Sequence, residues 1–128
     1  MGFRKRSLLH ADYRVRISTR EDIVAEKLRA LLQQVLRDRY RCQDVLDLAV
    51  MLRGGAELDT GKVAKFLLEK AAARDVPVSR TAFHGPELAA RARVDYEALE
   101  STARHEFIYF DDALARVLEF VDRLGLGG

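Results

Sequence analysis

Ser18-Thr19-Arg20-Glu21-Asp22-Ile23-Val24-Ala25-Glu26-Lys27-Leu28-Arg29-Ala30-Leu31-Leu32-Gln33-Gln34, followed by Arg41-Cys42-Gln43-Asp44-Val45-Leu46-Asp47-Leu48, spells out two consecutive amphipathic helices. Ser18 with Glu21, or Thr19 with Asp22, forms a capping box that starts the first helix. Val24, Leu28, Leu31, Leu32, Val35 and Leu36 give it an apolar stripe running to about residue 39. A short polar turn at Arg39-Tyr40-Arg41 leads into the second helix, about 42 to 53, with Val45, Leu46, Leu48, Ala49 and Leu52 inward. Two placements go against plain packing. Lys27 sits inside the first stripe, and Asp44 and Asp47 share a face at the start of the second helix. Both cost stability in a simple bundle, so both point beyond packing.

Outward from this pair, Asp59 or Thr60 caps a third helix through about Arg74, with Val63, Phe66, Leu67 and Ala71 inward. Val76-Pro77-Val78-Ser79 reads as a linker. Pro86, after Gly85, is a first-turn proline for a fourth helix that buries Leu88, Ala92, Tyr96 and Leu99. Asp111 or Asp112 starts a fifth, with Leu114, Val117, Leu118, Val121 and Leu124 inward. Tyr13, Val15 and Ile17 alternate with Arg14, Arg16 and Ser18 as in a half-buried strand, and Phe107-Ile108-Tyr109-Phe110 is strand-prone. The expected fold is mainly α: one domain over residues 1–128, about five helices, and one or two short strands near the N-terminus and before the last helix. An orphan strand needs a partner, which makes strand pairing into a homodimer one expectation.

The 128 residues suffice for a real core. No apolar run has transmembrane length, so no membrane partner is expected. The single Cys42 cannot form an internal disulfide and no Cys/His spacing suggests zinc, so a reducing, cytoplasmic setting is expected. A net charge of +2 hides an asymmetry: residues 1–41 hold eleven Lys/Arg against five Asp/Glu, and the rest hold eleven against fifteen. Arg37, Arg39 and Arg41, with the basic residues before them, are candidates for a polyanion-facing surface. The plain alternative is a set of solvated arginines.

Lys27 has Ile23 and Leu31 one turn away on either side, so its ammonium is partly desolvated unless it snorkels to water. Asp44 and Asp47, three residues apart, repel each other unless a cation lies between or beside them. In an antiparallel hairpin turning near residue 39, Lys27 and Asp44 fall roughly 10 Å apart along the axis. That is too far for a simple ion pair, and it suits two contacts on one extended ligand such as a nucleotide. His10, His84 and His105 are scattered, and no Arg-x₄₋₆-His motif of a HEPN-type ribonuclease is present.

Residues 21–33 resemble the acidic-hydrophobic-x-x-x-Lys motif of the AbiEii/AbiGii toxin family of nucleotidyltransferases. Gln43-Asp44-Val45-Leu46-Asp47-Leu48 resembles the Arg-Asp-x-x-Asp motif that follows it, with Gln43 where the family has arginine and Arg41 two residues upstream. Gln34 also stands where many members carry a basic residue. Lys70 with Arg74, Phe83 to Leu88, Asp95-Tyr96 and Phe110-Asp111 look familial too. The resemblance spans essentially the whole chain, matching the C-terminal half of a typical member.

That resemblance implies a bacterial toxin of a type IV toxin–antitoxin and abortive-infection system. Its members are similar to polymerase-beta-type nucleotidyltransferases and transfer a nucleotide from a nucleoside triphosphate to an acceptor such as tRNA. By motif, Lys27 would contact the triphosphate with Arg41 beside it, Asp44 would be the essential acid and Asp47 its second acid. Arg37, Arg39 and Arg41 would face RNA. The family's Gly-Ser…Asp signature, which holds Mg²⁺, has no counterpart here, because no Gly-Ser pair occurs. The expectation is therefore a helical portion that binds no Mg²⁺ alone and is inactive by itself. It would be completed by an N-terminal segment or another chain, with an antitoxin as a further partner. The rival expectation is a non-catalytic RNA- or protein-binding module.

Overall fold

Thr19 opens the first helix. Its Oγ1 accepts the Asp22 N–H at 3.1 Å, so the cap is the Thr19 and Asp22 pair. The computed structural model describes residues 19–53 and 57–127. In chain order these form α1 (Arg20–Leu36), α2 (Cys42–Arg53), α3 (Thr60–Ala73), α4 (Arg80–Phe83), α5 (Pro86–Arg93), α6 (Glu100–Ala103) and α7 (Phe110–Asp122). Single 3₁₀ turns occupy Tyr96–Leu99 and Arg104–Glu106.

The helices interlock through α1, which packs on α3 along its length and also touches α2 and α5, while α2 packs on α7. The Asp59 N–H donates to Glu21, and the Arg37 guanidinium donates to the Arg74 carbonyl. These bonds tie the residue before α3 to the first turn of α1, and the residue after α3 to the one after α1. Val24, Leu28, Leu31, Val45, Leu48, Val63, Leu67 and Val121 are fully buried between these elements. Each large apolar side chain contributes about 1.5–3 kcal/mol by leaving water. Leu36 is the one member of the expected α1 stripe that the fold leaves half exposed.

Helix α1 stops three residues short of the expected end. Asp38 takes a left-handed conformation (φ 55°), and the N–H groups of Arg37 and Arg39 close back onto the carbonyls of Gln33 and Gln34, each at 2.9 Å. The chain then runs back along α1. Gln34 holds it there: its fully buried amide accepts the Arg41 N–H at 2.9 Å and donates to the Leu88 carbonyl at 3.2 Å. Helix α2 consequently starts well inside the length of α1, and the simple hairpin geometry does not hold.

No strand is present among the described residues. The strand expected at residues 13–17 lies outside them. The run at 107–110 is not a strand: Phe107 and Tyr109 are extended, but Phe110 is already the first residue of α7. The Tyr96 hydroxyl donates to the Ile108 carbonyl at 2.6 Å and takes up an acceptor that a strand ladder would use. The alternation that looked strand-like is real but serves packing, since Ile108 and Phe110 are buried and Tyr109 is exposed. Helix α5 likewise ends at Arg93, before left-handed Asp95 (φ 61°), and Tyr96 enters the core from a 3₁₀ turn. Burial pushes the Tyr96 phenol up to about 12. Directly after the expected linker, residues 76–79, comes one unforeseen turn of helix, α4, capped by Ser79, whose Oγ accepts the Ala82 N–H at 3.0 Å.

Replacing Gln34 by methionine keeps its volume, leaves the partly buried Arg41 N–H without its acceptor and takes one donor from the buried Leu88 C=O, which helix α5 still pairs. A lost hydrogen bond of this kind costs about 0.5–1.5 kcal/mol. Urea unfolding of Gln34→Met is expected to show a loss of about 1–3 kcal/mol with an unchanged m value.

Candidate functional site

The fold-back set by Gln34 brings Asp44 and Asp47 opposite the middle of α1. Lys27 Nζ donates to Asp47 Oδ2 at 2.9 Å and to Asp44 Oδ1 at 3.4 Å. The expected separation of about 10 Å is therefore corrected. The lysine and both aspartates form one clasp, because the returning residues 37–41 carry α2 toward Lys27 instead of leaving it at the far end of a hairpin. Gln43 Nε2 adds a bond to the other oxygen of Asp47 at 2.9 Å.

The clasp is half buried, with side-chain exposures of 23% for Lys27, 16% for Asp44 and 36% for Asp47. Burial pulls the Lys27 pKa down. The hydrogen bond to Asp47 and the charges of both carboxylates more than offset this, and the ammonium ends above the usual lysine value. Asp44 goes the other way from an ordinary paired acid: burial lifts its pKa, and the charges of Lys27 and Arg41 offset this only in part. The two directions are compatible because the lysine is shared. Asp47 takes the shorter bond and is more exposed, while the deeper Asp44 keeps the longer one.

Two clefts meet at Lys27. One, of about 450 Å³, is rich in charge: Lys27, Arg29, Arg41 and Lys70 line it together with Asp22, Glu26 and Asp44. Lys70 bonds Asp22 at 3.0 Å and reaches Glu26 at 3.6 Å. Arg29 is buried and pairs with Glu26 and Gln33, yet its Nε has no hydrogen-bond partner among the described residues. The other cleft, of about 390 Å³, lies between α2 and the segment from Leu99 to Glu106 and is largely apolar.

The three arginines separate. Arg41 lines the charged cleft and acts on Asp44 through its charge. Arg39 is exposed, and Arg37 turns away to the Arg74 carbonyl. Between them Tyr40 is 57% exposed, with the Arg91 guanidinium 5.2 Å from its ring centroid. Arg91 is held there by Asp38 at 2.9 Å and Glu87 at 3.2 Å. Sequence reasoning passed over Arg29 and Tyr40, and read Gln34 only as a departure from the family pattern. Gln34 carried a signal, since it lies seven residues after Lys27 and three after Leu31, on the same buried face.

As a metal site the clasp does not fit. The ammonium occupies the space between the two carboxylates, and no group of three or more His, Cys, Asp or Glu side chains suits an ion among the described residues. Nor is any described helix long and apolar enough to cross a membrane.

A family model described as nucleotidyl transferase AbiEii toxin, type IV TA system, matches residues 4–116. The chain belongs to the AbiEii toxin family. The match covers most of the 128 residues and takes in both helices of the clasp. No curated protein and no solved structure matches the chain. The AbiEii family is one of nucleotidyltransferase toxins of type IV toxin–antitoxin systems, which points to a nucleotide as substrate and an antitoxin as partner.

Removing the cation tests the clasp. Lys27→Met leaves two half-buried carboxylates facing each other, and a loss of about 1–2 kcal/mol is expected at neutral pH. Without Lys27 the Asp44 pKa rises further, so the folded state binds that proton more tightly than the unfolded chain does. The deficit should therefore shrink as pH falls through the carboxylate range. In the wild type, the raised Lys27 pKa means the clasp's contribution is complete below the ordinary lysine value and is lost as pH rises through the raised one. Chemical denaturation across pH 4 to 11 checks both limbs.

Proposed function

We propose that the chain supplies the triphosphate-contacting half of a nucleotidyl-transfer site, with RNA as the acceptor. The observation that carries this is the Lys27 clasp itself: a desolvated ammonium held by two carboxylates where a charged cleft meets an apolar one. Lys27 is the phosphate contact, and Arg41 and Lys70 stand around the same cleft as further cations. Phosphate oxygens compete with Asp44 and Asp47 for the ammonium. While no nucleotide is bound, the aspartates keep Lys27 extended into the site.

In the transfer, the acceptor hydroxyl oxygen bonds to the α-phosphorus and the α–β bond breaks to release pyrophosphate. The hydroxyl proton passes to a carboxylate. Asp44 is the candidate base, since burial has raised its pKa and phosphate binding frees it from Lys27. Asp47 then serves as the second acid that holds the site's geometry. The exposed Arg39 and Arg41 flank Tyr40 on the turn that leads into α2, and the half-exposed ring, with Arg91 over one face, leaves its other face for a base of an RNA strand. In this proposal the Mg²⁺ that the chemistry requires is held by carboxylates outside the 128 residues, in the same polypeptide or in a partner, and the chain alone binds nucleotide without turnover.

A second reading rests on the same Arg39-Tyr40-Arg41 turn: a module that holds RNA through this surface and uses no nucleotide. Thermal unfolding separates the two. A nucleoside triphosphate at one hundred times its Kd is expected to stabilise the chain by about 2.7 kcal/mol, and Lys27→Ala is expected to abolish that gain. RNA affinity that falls steeply with salt, with no nucleotide-dependent stabilisation, would favour the binding module instead.

A further inference from the structure

The apolar cleft beside Lys27 has no role in phosphate binding, yet the fold takes trouble to keep it open. One wall is α2, with Leu46, Val50 and Met51. The other is Leu99 and Ala103, on the turns after Tyr96. That second wall is rigid. Tyr96 is buried, bonds the Ile108 carbonyl at 2.6 Å, and meets the rings of Phe107 and Phe110 at 5.5 and 5.1 Å. Two non-glycine residues with positive φ bracket it, Asp95 at φ 61° in the left-handed conformation and Arg104 at φ 51°. Such positions persist only where the surroundings hold them, and they concentrate where a site is being shaped.

We infer that this cleft takes the nucleobase of the nucleoside triphosphate, lying flat between Met51 of α2 and Ala103 of the opposite wall. The inference rests on Lys27 being the phosphate contact, and it adds where the rest of the ligand goes. Lys27 lines both clefts, so one ligand crossing it must be anionic on one side and apolar on the other. A nucleotide has that division: charged phosphates, and a planar base whose faces are apolar and whose edges carry hydrogen-bonding groups. The cleft volume, about 390 Å³, falls within the range of small-molecule sites. Its rim carries Gln43, Thr102 and Glu106, polar groups placed where the edge of a base would emerge. A phosphate chain alone gains nothing from walls of leucine, valine and methionine, and an extended apolar peptide gains nothing from the ammonium at their foot.

Inorganic tripolyphosphate separates the two halves of the ligand. Calorimetric titration of the 128-residue chain with tripolyphosphate and with a nucleoside triphosphate is compared for the wild type, Lys27→Ala, Ala103→Trp and Thr102→Trp. Thr102 is exposed, so its indole can overhang the cleft without disturbing the core. The expected result is that both tryptophan variants bind tripolyphosphate as the wild type does and bind the nucleoside triphosphate at least tenfold more weakly. Wild-type nucleotide affinity in both tryptophan variants, with Lys27→Ala still defective for both ligands, overturns the base cleft and leaves the phosphate contact standing. If Lys27→Ala binds both ligands normally, or the wild type binds neither, the phosphate contact itself is wrong and the base cleft falls with it.

Discussion

Gln34 is the constraint from which the site's geometry follows. A buried amide with both ends satisfied ties the returning chain to α1 at Arg41 and ties α5 to α1 at Leu88. Without that tie, a five-residue connection after Leu36 would let α2 begin at the end of α1, and the aspartates would lie about two turns from Lys27. With it, α2 starts alongside α1, and its first turn faces the lysine. One uncharged side chain, far from any chemistry, thereby positions three charged ones.

The clasp is also an energetic compromise. A half-buried ammonium between two carboxylates stabilises the α1–α2 contact only modestly, because desolvation of all three groups works against their attraction. Apolar residues at positions 27, 44 and 47 together would pack without that penalty. The charge makes better sense as something to be transferred to a ligand. In the proposed reading, phosphate takes the ammonium from the aspartates at little net electrostatic cost, since one anionic partner replaces another, and Asp44, its pKa raised by burial, is freed from Lys27. The neighbouring cations Arg41 and Lys70 extend the same surface, with Asp22 and Glu26 holding Lys70 in place meanwhile.

Much of this was legible in the residues. Helix α2 and the starts of α1, α3 and α5 follow from capping side chains, a first-turn proline and 3.6-residue periodicity, and all of these are local signals. The pairing of Lys27 with Asp44 and Asp47 as one site was legible as motif, whereas their direct contact was not. It depends on the Gln34 amide accepting the Arg41 N–H, a side-chain tie whose other end is fixed by the Leu88 carbonyl 54 positions away. The segment at 107–110 misled for a similar reason: alternating burial looks the same whether a run pairs with a strand or threads between Tyr96 and the start of α7. Ser79 could have announced α4, but a single turn of helix has too few residues to show a period. The strand-like run at 13–17 lies outside the described residues.

The most direct test of the clasp as a nucleotide contact is a crystal structure of the chain with a non-hydrolysable nucleoside triphosphate. We expect phosphate oxygens within hydrogen-bonding distance of Lys27 Nζ, with at least one of Asp44 and Asp47 released from it. A nucleotide bound elsewhere, with Lys27 still held by both carboxylates, would contradict the proposal and leave the clasp as a structural tie between two helices.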